Sequence, residues 1–102
     1  MVVKVSKGKL SPEETRLTKV FRALGEPNRL RIVQVLAREG ELGCGELAER
    51  VNLSPPTLSH HTAILTDAGL LDGRWEGKAH VIALNREALD RYAPALLSSS
   101  KA

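Results

Sequence analysis

Aromatic residues and cysteines are scarce in this chain, and long apolar segments are missing. Its 102 residues include one Trp, one Tyr, one Phe and one Cys. A single cysteine cannot form an internal disulfide, and it cannot assemble a structural zinc site alone. No apolar run is long enough to span a bilayer, and no apolar stretch of about 7–15 residues marks a secretory signal. We therefore expect a cytoplasmic protein with no membrane segment.

The apolar residues that are present are mostly aliphatic, which favours helices packed on helices. Hydrophobic residues make up 42% of the chain, although aromatic residues make up only 3%. A chain of this length is expected to form one domain. Its 15 Lys and Arg against 12 Asp and Glu give a net charge of +3. That balance permits an acidic partner such as DNA but does not require one.

The two ends of the chain differ from the part between them. Residues 1–10 contain Lys4, Lys7 and Lys9 with little periodicity, which predicts a flexible basic arm. The plainer alternative is a disordered terminus without a role. Residues 98–102 are predicted to be a frayed tail, so the folded domain is expected to span residues 11–97.

Capping signals and apolar stripes predict five helices. The first helix runs from the capping box at residues 11–14 to Gly25. The second begins at Pro27 and ends at Gly40, and its apolar residues wrap most of the way round. We therefore expect the second helix to be the most deeply buried.

Two short helices and a hairpin follow, and their order points to a known DNA-binding arrangement. The third helix is predicted over 44–51, and a turn at 52–54 leads to the fourth, which Gly69 ends. Residues 70–84 change to strand character, with Glu76-Gly77 as the tight turn of a hairpin. The expected fold is mostly α with a small β-hairpin wing, a winged helix-turn-helix.

A last helix completes the predicted domain. Asn85 is its expected N-cap, and its apolar positions continue to Leu97. Pro94 falls inside this pattern and should kink or end the helix near residue 90, because its ring clashes with the carbonyl four residues before it.

A helical wheel separates two faces of the fourth helix. Leu58, His61 and Leu65 fall on the side expected to face the core, which makes His61 a packed histidine rather than a ligand. The opposite side, near the helix start, is short and mostly polar, and it is the face expected to read or position DNA. Its members are Ser54, Pro56, Thr57, Ser59 and His60. The amides at this helix start can also bind a phosphate.

Residues 54–68 contain no Lys or Arg, so cationic contacts must come from elsewhere. Arg74 and Lys78 on the hairpin are the expected phosphate ligands, with Arg29, Arg31 and the basic arm as further sources. The lack of cations also motivates the alternative, a winged-helix protein-interaction module without strong DNA binding. An enzyme is not expected, because the sequence shows no nucleophile–base pair, phosphate loop or metal constellation.

Three stretches resemble the ArsR/SmtB family of winged-helix repressors. They read FRALGEPNRLRIVQVL, ELGCGELAERVNLSPPTLSHH and AGLLDGRWEGKAHVIALN, and they cover residues from about Phe21 to Asn85. The resemblance implies a sequence-specific, DNA-binding transcriptional repressor that binds an imperfect palindromic operator as a homodimer. It also implies that the first and last helices form the dimer interface. The corresponding apolar positions are Leu17, Val20, Phe21, Leu24, Leu89, Tyr92, Ala93, Leu96 and Leu97.

The resemblance does not extend to the metal site of the family's sensors. Where those sensors have Cys-x-Cys, this chain has Gly43 and Gly45 with Cys44 between them. We therefore expect no metal site and no cofactor. Cys44 is a possible single thiol switch, since a helix N-terminus can lower a thiol pKa, although a small buried residue is the plainer interpretation. His80 is expected to be structural or solvated, and the effector stays open.

Overall fold

The computed structural model describes residues 8–98 and contains six helices and three strands in that part of the chain. Residues 1–7 of the predicted arm and residues 99–102 of the predicted tail lie outside the described residues. The elements run in the order α1 Pro12–Leu24, α2 Pro27–Glu39, β1 Leu42–Gly43, α3 Cys44–Val51, α4 Pro55–Asp67, β2 Leu71–Glu76, β3 Ala79–Leu84, α5 Arg86–Tyr92 and α6 Pro94–Ser98.

Side-chain caps start α1 and α2 where the sequence predicts. At α1, the Ser11 amide donates to the Glu14 carboxylate at 2.8 Å, and the Glu14 amide donates to the Ser11 hydroxyl at 3.1 Å. Glu26 is an unusual cap, yet its carboxylate accepts from the Arg29 amide at 3.1 Å and so begins α2. Each cap satisfies an amide that has no partner inside its own helix.

The core is aliphatic, as the composition predicts, and α2 lies at its centre. Five residues of α2 are buried, more than in any other described helix: Ile32, Val33, Val35, Leu36 and Ala37. The helix packs on α1, α3, α4, α6 and β3. The prediction that the second helix is the most buried is therefore confirmed.

The three strands form an antiparallel sheet in the order β1-β3-β2. Strand β1 is a two-residue segment that pairs with Val81 and Ile82 of β3, and the sequence did not predict it. The hairpin turn consists of Gly77-Lys78 rather than the predicted Glu76-Gly77, because Glu76 still pairs with Ala79. Gly77 has a φ of +61°, which suits the first position of a two-residue turn.

Pro94 divides the predicted last helix in two, so the prediction of five helices was one short. Helix α5 continues to Tyr92, two residues past the predicted break, and Pro94 is the first residue of α6. At the first position of a helix, the missing amide hydrogen of proline is not needed and its ring meets no preceding helical turn. Inside a continuous helix, proline would remove one backbone hydrogen bond and its ring would clash with the carbonyl four residues before it. Among residues 8–98, no helix combines the length and apolar character needed to cross a membrane.

Candidate nucleic-acid interface

The two faces of α4 lie as the helical wheel predicts. On its buried side, Leu58 is 2% exposed, His61 8% and Leu65 0%. The five residues predicted to read or position DNA are all exposed: Ser54, Pro56, Thr57, Ser59 and His60. The structure thus brings these five side chains together on one surface at the start of α4.

The turn before α4 is tightly held. Asn52 adopts the left-handed conformation with a φ of +55°, and the Leu53 amide donates to the Ala48 carbonyl at 3.0 Å. The Leu53 side chain packs against the core. Since Asn tolerates this conformation better than most residues, the turn fixes the angle between α3 and α4 at little cost.

The predicted phosphate site at the start of α4 is not supported by its geometry. Pro55 and Pro56 have no amide hydrogen, and the Thr57 amide donates to the Ser54 hydroxyl at 3.4 Å. The next amide, that of Leu58, donates to the Ser54 carbonyl. The first turn therefore offers side chains, not amides, to a nucleic acid. The Pro-Pro pair in the sequence was the signal that should have excluded this expectation.

A small polar cluster fastens the buried side of α4 to the start of α2. The Nδ1 atom of His61 lies 3.3 Å from Nη1 of Arg29 and 3.5 Å from Oε2 of Glu26. The Nε atom of Arg29 also donates to the Ala23 carbonyl at 2.7 Å. His61 is a packed histidine, as predicted, and the Arg29 guanidinium is engaged inside the protein.

Arg74 of the wing is held by two carboxylates. It donates to Glu41 at 2.8 Å through Nη1 and to Glu76 at 3.0 Å through Nε. These hydrogen bonds raise the pKa of Arg74, and the Arg74 hydrogen bond lowers the pKa of Glu41. Sequence reasoning missed Glu41, because it lies 33 positions from Arg74 and no local pattern links them. Lys78, in contrast, stands exposed in the hairpin turn.

His80 connects the wing to α3. Its ring stacks on Trp75, with the ring centroids 4.7 Å apart, and its Nδ1 atom lies 3.4 Å from Sγ of Cys44. A Cβ atom at Gly73 would lie 2.7 Å from Nε2 of His80, so glycine there makes room for the imidazole. The predicted structural role of His80 fits these contacts.

The surroundings of Cys44 do not favour the possible thiol switch. Burial raises the pKa of the Cys44 thiol, opposite to the lowering expected at a helix N-terminus. Within residues 8–98, no three His, Cys, Asp or Glu side chains are grouped so that they can hold a metal ion. Cys44 and His80 form a pair, fewer ligands than a soft-metal site needs.

The residues predicted to form a dimer interface differ widely in exposure. Val20 and Leu89 are completely buried in the core of the single chain, so neither can contact a second subunit. Phe21 is 55% exposed, which is unusual for a large apolar side chain. The remaining six are half-buried: Leu17, Leu24, Tyr92, Ala93, Leu96 and Leu97.

Comparison with known proteins agrees with this geometry. A family model described as a helix-turn-helix domain matches residues 24–74, from the end of α1 into β2. An uncharacterized HTH-type transcriptional regulator of Bacillus subtilis, YceK, is 33% identical over 92 residues, covering 89% of this chain and 91% of that protein. The arsenical resistance operon repressor of Staphylococcus xylosus is 40% identical over 74 residues, covering 72% of this chain and 70% of that protein.

The fold also matches solved structures. A homodimeric winged helix-turn-helix DNA-binding domain from Mycobacterium bovis, described as a possible ArsR-family transcriptional regulator, superposes with a TM-score of 0.74 at 23% identity. The match covers 94% of this chain and 92% of that one. At this identity the likeness shows the fold alone, while the sequence relatives show the family. The chain belongs to the ArsR/SmtB family of winged helix-turn-helix transcriptional regulators.

Proposed function

We propose that this chain is a homodimeric, sequence-specific DNA-binding transcriptional repressor. The observation that carries the proposal is the exposed face at the start of α4, whose opposite side is anchored by buried Leu58 and Leu65. The major groove, about 12 Å wide, admits one helix presented in this way. The relative in Staphylococcus xylosus is an operon repressor, and the neighbour in Mycobacterium bovis is a homodimer. Both support the same assignment here.

Two copies of α4 would enter successive major grooves of an imperfect palindrome, roughly 34–36 Å apart. Ser54, Thr57, Ser59 and His60 supply hydrogen-bonding groups to base edges and phosphates, and Pro56 supplies an apolar contact for a thymine methyl. Lys78 would hold a flanking phosphate. Arg74 should contribute less to phosphate binding than the sequence predicts, because its guanidinium already forms ion pairs with Glu41 and Glu76.

The decisive experiment is selection of bound DNA from a random pool, followed by gel shifts of the selected site against a scrambled one. We expect a selected sequence with two related half-sites about one helical turn apart. Repeating the selection with Zn²⁺ and with an oxidant tests whether either changes binding. A pool that yields no enriched sequence contradicts the proposal.

His60→Ala is expected to relax base preference. Because His60 is exposed and near the start of α4, its loss should reduce discrimination at the contacted base pair by about 1 kcal/mol, roughly fivefold. Gel shifts with the selected site and single-base variants measure this. Thr66→Ala, an exposed change nearer the end of the same helix, serves as the control. If His60→Ala leaves all ratios unchanged, the docking face has been assigned wrongly.

Lys78→Ala is expected to weaken binding to every DNA sequence by a similar factor. A lysine in the hairpin turn contacts phosphate rather than bases, so the slope of log K against log salt should become shallower by about one. Arg38→Ala removes the same charge from α2, outside the proposed interface, and should leave the slope nearly unchanged. An altered base preference in Lys78→Ala would show that the wing reads sequence.

The alternative function, a protein-interaction module, rests on the distribution of charge. Residues 54–68 have no Lys or Arg, and the Arg74 guanidinium is bound by carboxylates. Such a module would show no preference for the selected site over scrambled DNA in the gel shifts described above.

A further inference from the structure

A groove runs between α1 and α4, beside the proposed DNA-reading face. Its volume is about 580 Å³, within the range of small-molecule sites in proteins. Ala23, Ala63 and Ile64 give it an apolar lining. Nothing in the proposed DNA contacts uses this space, apart from His60 at its edge.

The cations that line the groove outnumber its acids, but two of the three are already engaged within the chain. Lys19, Arg22 and Arg29 line it, and among the described lining residues only Asp67 is acidic. Asp67 is already paired with Lys19 at 3.0 Å. The Arg29 guanidinium is held in place by the Ala23 carbonyl at 2.7 Å. That leaves Arg22, which is exposed at the groove, as the cation for a ligand, and an apolar lining beside an exposed arginine is complementary to an organic anion.

We propose that this groove binds a small organic anion with a flat apolar body, of the aromatic carboxylate class. The apolar body would lie against Ala23 and Ile64, and the carboxylate would pair with Arg22. Leu10, the last residue of the basic N-terminal arm, also lines the groove, and the lysines of the arm have the same sign as Arg22. Nucleic-acid phosphate lacks the apolar body that this lining accommodates.

The position of the groove links its occupancy to DNA binding, a step that rests on the proposed function. His60 and Ala63 belong both to the groove and to the outward side of α4. The opposite wall is α1, which also presents the exposed Phe21. A bound anion therefore contacts the reading helix and the proposed dimerisation helix together. By linkage, DNA and anion must change each other's affinity by the same factor.

The test uses naphthalene carboxylate as the probe and naphthalene methanol as its neutral match. Calorimetric titration of the full chain without DNA should show that the carboxylate binds more tightly than the alcohol. Arg22→Glu should weaken carboxylate binding by about tenfold or more, since a charge-assisted contact is lost and a repulsive one is added. Arg38→Glu is the matched control, because both arginines lie in the last turn of a helix and both changes alter net charge equally.

Thr18→Phe provides a second variant that does not depend on charge. Thr18 lines the groove, and its hydroxyl donates to the Glu14 carbonyl of the same helix at 2.8 Å. A phenyl ring there should fill the groove and abolish probe binding, while circular dichroism confirms that the variant folds. Amide NMR shifts in the wild type should fall on Ala23, Ala63 and Ile64.

Each outcome bears on a different claim. The proposed site would be overturned if the carboxylate did not bind, or if the alcohol bound equally well. It would also be overturned if Arg22→Glu and Arg38→Glu lost equal affinity for the carboxylate. Probe binding in a chain that selects no DNA sequence would overturn the proposed function and leave the site standing. Binding of both, with independent affinities, would overturn the coupling between them.

Discussion

Phe21→Asp should dissociate the proposed dimer and lower affinity for the proposed palindromic operator by about 10²-fold or more. Phe21 is 55% exposed in the single chain, so its replacement leaves the core intact. At a symmetric interface the change places a carboxylate from each subunit in a surface that was apolar. Once the two reading helices are no longer joined, each half-site must be bound separately and the avidity of the pair is lost.

Sedimentation velocity and gel shifts measure the two effects of Phe21→Asp. The wild type should sediment with about twice the chain mass of 11.1 kDa, and the variant with the mass of one chain. Gln34→Asp adds the same negative charge at an exposed position of α2 and should remain dimeric. A Phe21→Asp variant that stays dimeric and keeps its operator affinity would place the interface elsewhere.

Leu65→Ala is expected to lower the free energy of unfolding by about 2–5 kcal/mol. Leu65 is completely buried on the inner side of α4, so its truncation removes buried methyl groups and leaves a cavity between α4 and the body of the domain. The free energy of unfolding of a small domain is only about 5–15 kcal/mol, so the variant should unfold at a much lower urea concentration than the wild type.

Leu10→Ala is the matched control for this stability measurement. The chemical change is the same, but Leu10 is 50% exposed, and the expected loss is below about 1 kcal/mol. Both variants must be compared at one protein concentration, since the proposed dimerisation would add to apparent stability. Similar losses in the two variants would show that α4 does not depend on its buried side for its position.

The division of α4 into a buried and an exposed side explains why its exposed face could be predicted from the sequence. The wheel needs only the helical period, and the helix start follows from Ser54 and Pro55. The same helical period placed Val20 of α1 and Leu89 of α5 on apolar stripes, but it could not tell which residues of a stripe are buried within the single chain. That distinction depends on how deeply each element sits in the core.

The sequence alone determined α1 to α4, the presence of the hairpin, the aliphatic core and the exposed face of α4, because caps, turns and periodic stripes are encoded within a few neighbouring residues. Only the tertiary structure decided that Glu41 neutralises Arg74, that Cys44 meets His80, and that a charged groove opens between α1 and α4. These contacts join residues more than 30 positions apart. Their formation depends on the packing of whole elements, which no local pattern specifies.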